Sequence, residues 1–274
     1  MPRLSGKVAF LTGGGAGIAR VSALEFVKEG ARGVTIVDVN AEAGKRAEQE
    51  LRDAGGEVLF IQADVTRDAE VRSAMDAAIG KFGRLDVLVN CAGGSVLEDV
   101  PVHEMSLEIW HRTINLNLLH PFLSCRHGIP HMIASGGGSI VNFSSMVGMT
   151  GIYRPAYAAA KGGVMSFTKT LAAQYVQHGI RANAIAPGSI RTERAIKRYQ
   201  NKDWMLAEKP GPAARERMMA QKLYPFSVGD PGDIASIVVF LASDESRMLT
   251  GTTIAADGGR SSYLQFHVPD EGDQ

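Results

Sequence analysis

Cysteine is nearly absent from this chain. Only Cys91 and Cys125 occur in 274 residues, so no disulfide framework is expected, although a single bridge between the two stays open. Net charge is also missing. Lys+Arg and Asp+Glu both number 29, which argues against a nucleic-acid or membrane-surface protein, a local basic patch aside. No apolar run approaches the length of about 18 residues that a membrane-crossing helix needs. The first residues, Met1-Pro2-Arg3-Leu4-Ser5-Gly6-Lys7, lead straight into a strand-like segment and carry no signal-peptide core. These absences set the expectation of a soluble, cytoplasmic protein. Hydrophobic residues at 45% and charged residues at 21% allow a sizeable core, and the length suits one large α/β domain or two small ones.

What is present alternates. Val8-Ala9-Phe10-Leu11 is a short apolar run, read as a buried strand. Thr12-Gly13-Gly14-Gly15-Ala16-Gly17-Ile18-Ala19 follows, then helical composition to Lys28. Strand, glycine turn and helix together suit a phosphate group, because glycine lets backbone approach a ligand and a helix start offers unpaired N–H groups. A strict G-x-G-x-x-G is not met. Gly33 to Asp38 is a second strand ending in an acid, placed about 20 residues beyond the turn, where a carboxylate can accept ribose hydroxyls of a dinucleotide. Further strands are expected at Val58–Ile61 (followed by Asp64-Val65), Leu85–Asn90, Ile140–Phe143, Ile180–Ile185 and Thr252–Ala256. Helices are expected between them, one from about Leu107 towards Ile133 broken by Pro121 and Pro130. Such alternation implies right-handed crossovers and a parallel sheet covered on both faces. The fold class is α/β, a Rossmann-type doubly wound parallel sheet of about seven strands, in one domain over 1–274 with a core at 5–259. Residues 191–225, dense in charge and broken by Pro210-Gly211-Pro212, read as an insertion over the site that closes on substrate. Residues 260–274 form a polar tail.

Tyr157-Ala158-Ala159-Ala160-Lys161 is the stretch with the most chemistry. Four apart on a helix, the two side chains share a face, and an ammonium there favours phenolate. Bringing a tyrosine from about 10 to near neutral takes roughly 4 kcal/mol, which a lysine together with a cationic cofactor ring could supply. Such a short pattern recurs by chance, and it gains meaning from the order of the motifs around it.

That order resembles the short-chain dehydrogenase/reductase family, over residues 5 to 259. Thr12-Gly13-x-x-x-Gly17-Ile18-Ala19 resembles its cofactor loop, with Ala19 for the third glycine. Asn90-Cys91-Ala92-Gly93 resembles its Asn-Asn-Ala-Gly motif, with Cys91 for the second asparagine. Asp257-Gly258-Gly259 resembles the closing motif. The resemblance implies a catalytic set of Asn117, Ser145, Tyr157 and Lys161. Ser144 competes with Ser145, fitting the commoner spacing to the tyrosine. It implies NAD as cofactor, held by Thr12, Gly13, Gly15, Gly17, Ile18, Asp38, Val39, Asp64, Val65, Asn90, Ala92, Gly93, Tyr157, Lys161, Pro187, Gly188, Ile190 and Thr192. It implies hydride transfer between NAD(H) and a secondary alcohol or ketone. Tyr157 then exchanges the proton, Ser145 stabilises the substrate oxygen, and Lys161 holds the ribose and lowers the Tyr157 pKa. Asn117 fixes a relay water and Thr192 orients the carboxamide. A homotetramer is implied as well. A 3-oxoacyl-thioester reductase is the alternative reading, and a non-catalytic dinucleotide-binding protein a third.

Other residues carry weaker signals. His127 and His131 lie four apart, but no third ligand is evident, and no metal is expected. Arg191, Arg194 and Arg198 could meet a substrate carboxylate or form a solvated helix face. Met149, Ile152, Tyr153, Trp204, Met205, Met218 and Met219 could line an apolar pocket or simply pack. Cys91 has nothing nearby in sequence to activate its thiol.

Overall fold

The computed structural model describes residues 2–150, 154–200, 226 and 228–262, with side chains described as far as Lys197 in the helix that ends at residue 200. Nine strands and eight α-helices are named here in chain order. The strands are β1 (Val8–Thr12), β2 (Gly33–Asp38), β3 (Val58–Gln62), β4 (Val87–Asn90), β5 (Gly138–Phe143), β6 (Ile180–Pro187), β7 (Ser189–Ile190), β8 (Val228–Gly229) and β9 (Thr253–Ala256). The helices are α1 (Gly17–Lys28), α2 (Ala41–Asp53), α3 (Asp68–Phe82), α4 (Leu107–Ile114), α5 (His120–Ala134), α6 (Pro155–Tyr175), α7 (Glu193–Gln200) and α8 (Pro231–Ala242).

Among the described residues, seven strands form one parallel sheet in the order β3-β2-β1-β4-β5-β6-β9. The order reverses between β1 and β4, and ligands of open α/β sheets bind at such a switch point, outside the carboxyl ends of the strands. Strand alternation divides the core between the two faces. From β1, Ala9 and Leu11 enter one cluster with Phe26 of α1 and Val238 of α8. Phe10 enters the other with Met75 of α3 and Ile129 of α5. From β4, Val87 and Val89 join the first cluster and Leu88 the second. Buried on both faces, these strands read as continuous apolar runs. Local chemistry ends the helices: Asn40 caps α2 by accepting from Ala43 N at 3.0 Å, and Gly83 closes α3 at φ 76°, a conformation that favours glycine.

Two local expectations differ. The helix expected from Leu107 to Ile133 is not broken by its prolines. A π turn, Asn115–Leu119, joins α4 to α5, Pro121 falls in the first turn of α5, and Pro130 lies within it. A π turn shifts donors by one residue and so absorbs part of the disruption that proline causes. The pair β7–β8 was not foreseen, since two-residue strands leave no periodicity. Of the 191–225 insertion, only α7 and its approach are described; Trp204, Met205, Met218 and Met219, like Ile152 and Tyr153, lie outside the described residues, as does the tail beyond 262.

Candidate active site

The carboxyl end of β4 passes into residues 91–99, and the site is assembled along that segment. Thr12, fully buried at the end of neighbouring β1, accepts from Cys91 N at 3.1 Å and Ala92 N at 3.2 Å. Its hydroxyl lies 2.8 Å from His120 Nε2, while His120 Nδ1 lies 3.2 Å from the Leu116 carbonyl. A carbonyl can only accept, so Nδ1 carries the proton and Nε2 accepts from Thr12. Burial, and secondarily the charge of Lys161, pushes the His120 pKa down to about 3. Asn117, on the π turn, brackets Gly94: Gly94 N donates to its Oδ1 at 2.9 Å, and its Nδ2 donates to Gly94 O at 3.2 Å and Thr113 O at 2.9 Å. Beneath the segment, Asn90 Nδ2 donates to Asn142 Oδ1 at 2.8 Å, and Asn142 Nδ2 to Thr168 Oγ1 of α6 at 3.0 Å.

Two clefts meet over this floor. One, of about 590 Å³, is lined by Gly13, Gly17, Ile18, Asp38, Val39, Asp64, Val65, Ala92, Gly93 and Thr192 among others. The second, of about 540 Å³, is lined by Ser144, Ser145, Tyr157, Lys161, Pro187, Gly188 and Ile190 among others. Ile18, Cys91, Gly93, Thr192 and Arg194 face both. Four of the expected residues stand behind the walls instead. Thr12, Asn90 and Asn117 hold the floor as described, and Gly15 N donates to Asp38 Oδ2 at 3.0 Å. With Asn40 N donating to Oδ1 at 2.9 Å, the Asp38 carboxylate is fixed at the end of β2. The first cleft fits a dinucleotide. A Cβ on Gly13, at φ 74°, would come within 2.9 Å of Ala92 Cα, so the turn admits only glycine at that approach. At the start of α1, Gly17 N already donates to a carboxylate oxygen, Glu193 Oε2, at 3.2 Å, showing an anion accepted where a helix N-terminus favours one.

A family described as Enoyl-(Acyl carrier protein) reductase matches residues 13–261. The 2,5-dichloro-2,5-cyclohexadiene-1,4-diol dehydrogenase LinX of Sphingobium indicum is 37% identical over 260 residues, covering 94% of this chain and 98% of that protein. The chain belongs to the short-chain dehydrogenase/reductase family. Its fold is likewise similar to solved members of that family. Levodione reductase superposes with TM-score 0.86 at 31% identity, covering 96% of this chain and all of that one. Carveol dehydrogenase from Mycobacterium avium, in complex with NAD, gives 0.84 at 30% identity with the same coverage. As a member of the short-chain dehydrogenase/reductase family, the protein is an oxidoreductase acting on CH–OH groups.

The electrostatics correct one expectation. In the protein alone, burial raises the Tyr157 pKa above its ordinary value; the Ser145 hydrogen bond, Arg194 and Arg154 pull the other way without prevailing. Lys161 does not lower it as expected. Its Nζ donates to the Phe143 carbonyl at 2.7 Å and lies 5.7 Å from the centre of the tyrosine ring. Burial also pushes the Lys161 pKa down to about 8, so the ammonium is lost before the phenol ionises. Further positive charge must enter the site before Tyr157 can serve as a base near neutrality. The two serines are placed differently. Ser144 Oγ donates to the Lys161 carbonyl at 2.7 Å and is spent on structure, whereas Ser145 reaches the Tyr157 hydroxyl. Burial pushes the half-buried Cys91 thiol up to about 12, which gives a redox role no support. Arg191 is engaged by Asp230 through two bonds of 2.7 Å. Arg194 instead donates to Gly93 O at 3.2 Å and Ser95 O at 2.7 Å. The Arg198 side chain lies outside the described ones. His127 Nε2 pairs with Asp68 Oδ1 at 2.9 Å.

Asp99, His120, Glu193 and Arg154 were missed in the sequence. Each acts on a partner at least 57 residues away, except for the His120 contact with the Leu116 carbonyl. No local pattern marks such contacts.

Proposed function

We propose that the protein transfers hydride between NAD(H) and a secondary alcohol or ketone, with Tyr157 as general acid/base. The observation that carries this reading is the meeting of Ser145, Tyr157 and Lys161 in one cleft that opens onto the glycine-lined one. The nicotinamide supplies or accepts the hydride, and its oxidised ring brings the positive charge that Tyr157 lacks in the protein alone. Tyr157 gives or takes the hydroxyl proton. Ser145 donates to the substrate oxygen as charge develops there. Lys161 holds the nicotinamide ribose, Thr192 and Ile190 the carboxamide side, Asp38 the adenosine ribose, and Gly13, Gly17 and Ile18 the diphosphate. Asn117 serves a relay water through its backbone carbonyl. The side chain of Asn117 is taken up by Gly94 and Thr113.

A small cyclic alcohol or ketone is the substrate class of this reading, supported by the names of relatives, in which a cyclohexadienediol, levodione and carveol occur. The family description names an acyl carrier protein, which keeps the thioester reductase as a second reading. The reading includes a cytoplasmic homotetramer, and light scattering showing a stable monomer at micromolar concentration would remove the assembly from it. The deciding experiment follows NADH fluorescence across cyclic alcohols, aliphatic alcohols and 3-oxoacyl thioesters, with Tyr157→Phe in parallel. Turnover of cyclic alcohols with NAD is expected, and a 10²–10⁴-fold loss in the variant with cofactor affinity kept. A variant retaining more than about a tenth of the activity removes Tyr157 from the acid/base role.

A further inference from the structure

The catalytic helix begins without a cap of its own. Pro155 opens α6 and has no N–H, and the preceding Arg154 supplies no side-chain cap bond. Arg154 is also the one non-glycine residue with positive φ among the described residues, at 108°, a conformation that L side chains adopt only when their surroundings enforce it. The next two N–H groups, Ala156 and Tyr157, belong to the first turn and have no partner inside the helix. Both point at Asp99. Ala156 N donates to Asp99 Oδ1 at 3.1 Å and Tyr157 N to Oδ2 at 2.9 Å. The carboxylate is buried, at 4% exposure, and comes from the far end of the segment that leaves β4. The helix grips the same segment in return, Arg154 Nη1 donating to Val96 O at 2.7 Å.

We propose that Asp99 is a positioning residue for Tyr157: its carboxylate, gripping the N–H of Tyr157 and of the residue before it, sets where the phenol stands in the cleft. The proposal rests on the assignment of Tyr157 as acid/base. Two bonds to consecutive N–H groups fix both the advance and the rotation of the first turn, which one bond would not. The carboxylate also lies at the positive end of the helix, where a negative charge is stabilised. Its own position is not free. The segment is bracketed by Asn117 at Gly94 and held by Thr12 at Cys91 and Ala92. The hydroxyl of Tyr157 is thereby placed relative to the cofactor floor through one short stretch of backbone. Reacting groups displaced by about 1 Å can lose about 10²-fold in rate.

The test uses the full-length enzyme with Asp99→Ala, Asp99→Asn and, for reference, Tyr157→Phe. Four quantities are read: kcat, KM for a cyclic ketone substrate, Kd for NADH by fluorescence, and amide exchange at residues 156 and 157. Asp99→Ala is expected to lower kcat about 10–100-fold, leave KM and the NADH Kd within about twofold, and speed exchange at both amides. Asp99→Asn keeps one acceptor oxygen and should recover most of the kcat, which guards against a variant that merely folds poorly. A kcat within about twofold of wild type in Asp99→Ala, despite faster exchange, overturns the proposal. So does a parallel fall in NADH affinity, or an asparagine variant no better than alanine. If Tyr157→Phe stays active, the acid/base assignment fails and the positioning role falls with it. Unchanged amide exchange in Asp99→Ala overturns the anchoring alone and leaves the assignment of Tyr157 intact.

Discussion

His120 makes the fold acid-sensitive through a single buried ring. The side chain is 1% exposed, accepts from Thr12 and donates to Leu116, and has its pKa pushed down to about 3 by burial. The unfolded value is about 6.5. Between the two, the unfolded chain binds a proton that the folded one excludes. Stability is therefore full above pH 6.5 and is lost as pH falls towards 3. The perturbation is His120→Gln, which can still accept from the Thr12 hydroxyl but does not titrate. From pH 7.5 to 4.5 the wild type should lose about 2.7 kcal/mol relative to the variant, two pKa units below 6.5 at about 1.36 kcal/mol each. Carboxylates elsewhere lose stability equally in both proteins and cancel in the difference. The assay is urea unfolding of both proteins at pH 7.5, 6.0 and 4.5, at one protein concentration so that any assembly contributes alike. A difference that stays constant within about 0.5 kcal/mol across the range would show that His120 is not held neutral in the fold.

Asp38→Ala should shift the ratio of kcat/KM for NAD over NADP by at least about tenfold towards NADP, because a 2′-phosphate would meet a carboxylate already fixed by Gly15 N and Asn40 N; an unchanged ratio would remove Asp38 as selector. Glu193→Gln should tighten NADH binding about two- to fivefold at low salt and less at high salt, since the half-exposed carboxylate that takes Gly17 N and pairs with Arg20 competes with a diphosphate at the start of α1. Fluorescence titrations showing weaker binding in the variant would mean that Glu193 supports the cofactor instead.

Much of this was legible because the signals are local. The apolar runs at Val8–Leu11 and Ile140–Phe143 lie buried in the sheet because parallel strands are covered on both faces. The Tyr157–Lys161 spacing needs only a helix. The choice between Ser144 and Ser145 was not local. It depends on which hydroxyl faces the Lys161 carbonyl and which faces the phenol, and both residues leave the same strand end. The share of Lys161 in the electrostatics of the protein alone was not legible for a related reason. Spacing puts Lys161 on the face of Tyr157, but it does not reveal that both groups are buried, and burial opposes the charged form of each. Pro121 and Pro130 signalled a broken helix, and a π turn kept it continuous by shifting the hydrogen-bond frame.

The sequence draws attention to side chains, yet the site is held together through backbone. Residues 91–99 receive a bond from nearly every element that bears on the chemistry: Thr12 at the N–H groups of Cys91 and Ala92, Asn117 at both sides of Gly94, Arg194 at the carbonyls of Gly93 and Ser95, and Arg154 at that of Val96. Asp99 also bonds α6 through its own side chain. Cys91 stands where the family pattern has asparagine, and the bond that matters to Thr12 comes from its N–H, which every residue but proline offers. The substitution leaves that bond untouched. By the same reasoning, alanine at position 91 should leave the site assembled, whereas proline there would remove the Cys91 N–H bond to Thr12 and leave that of Ala92 N alone to tie the segment to β1.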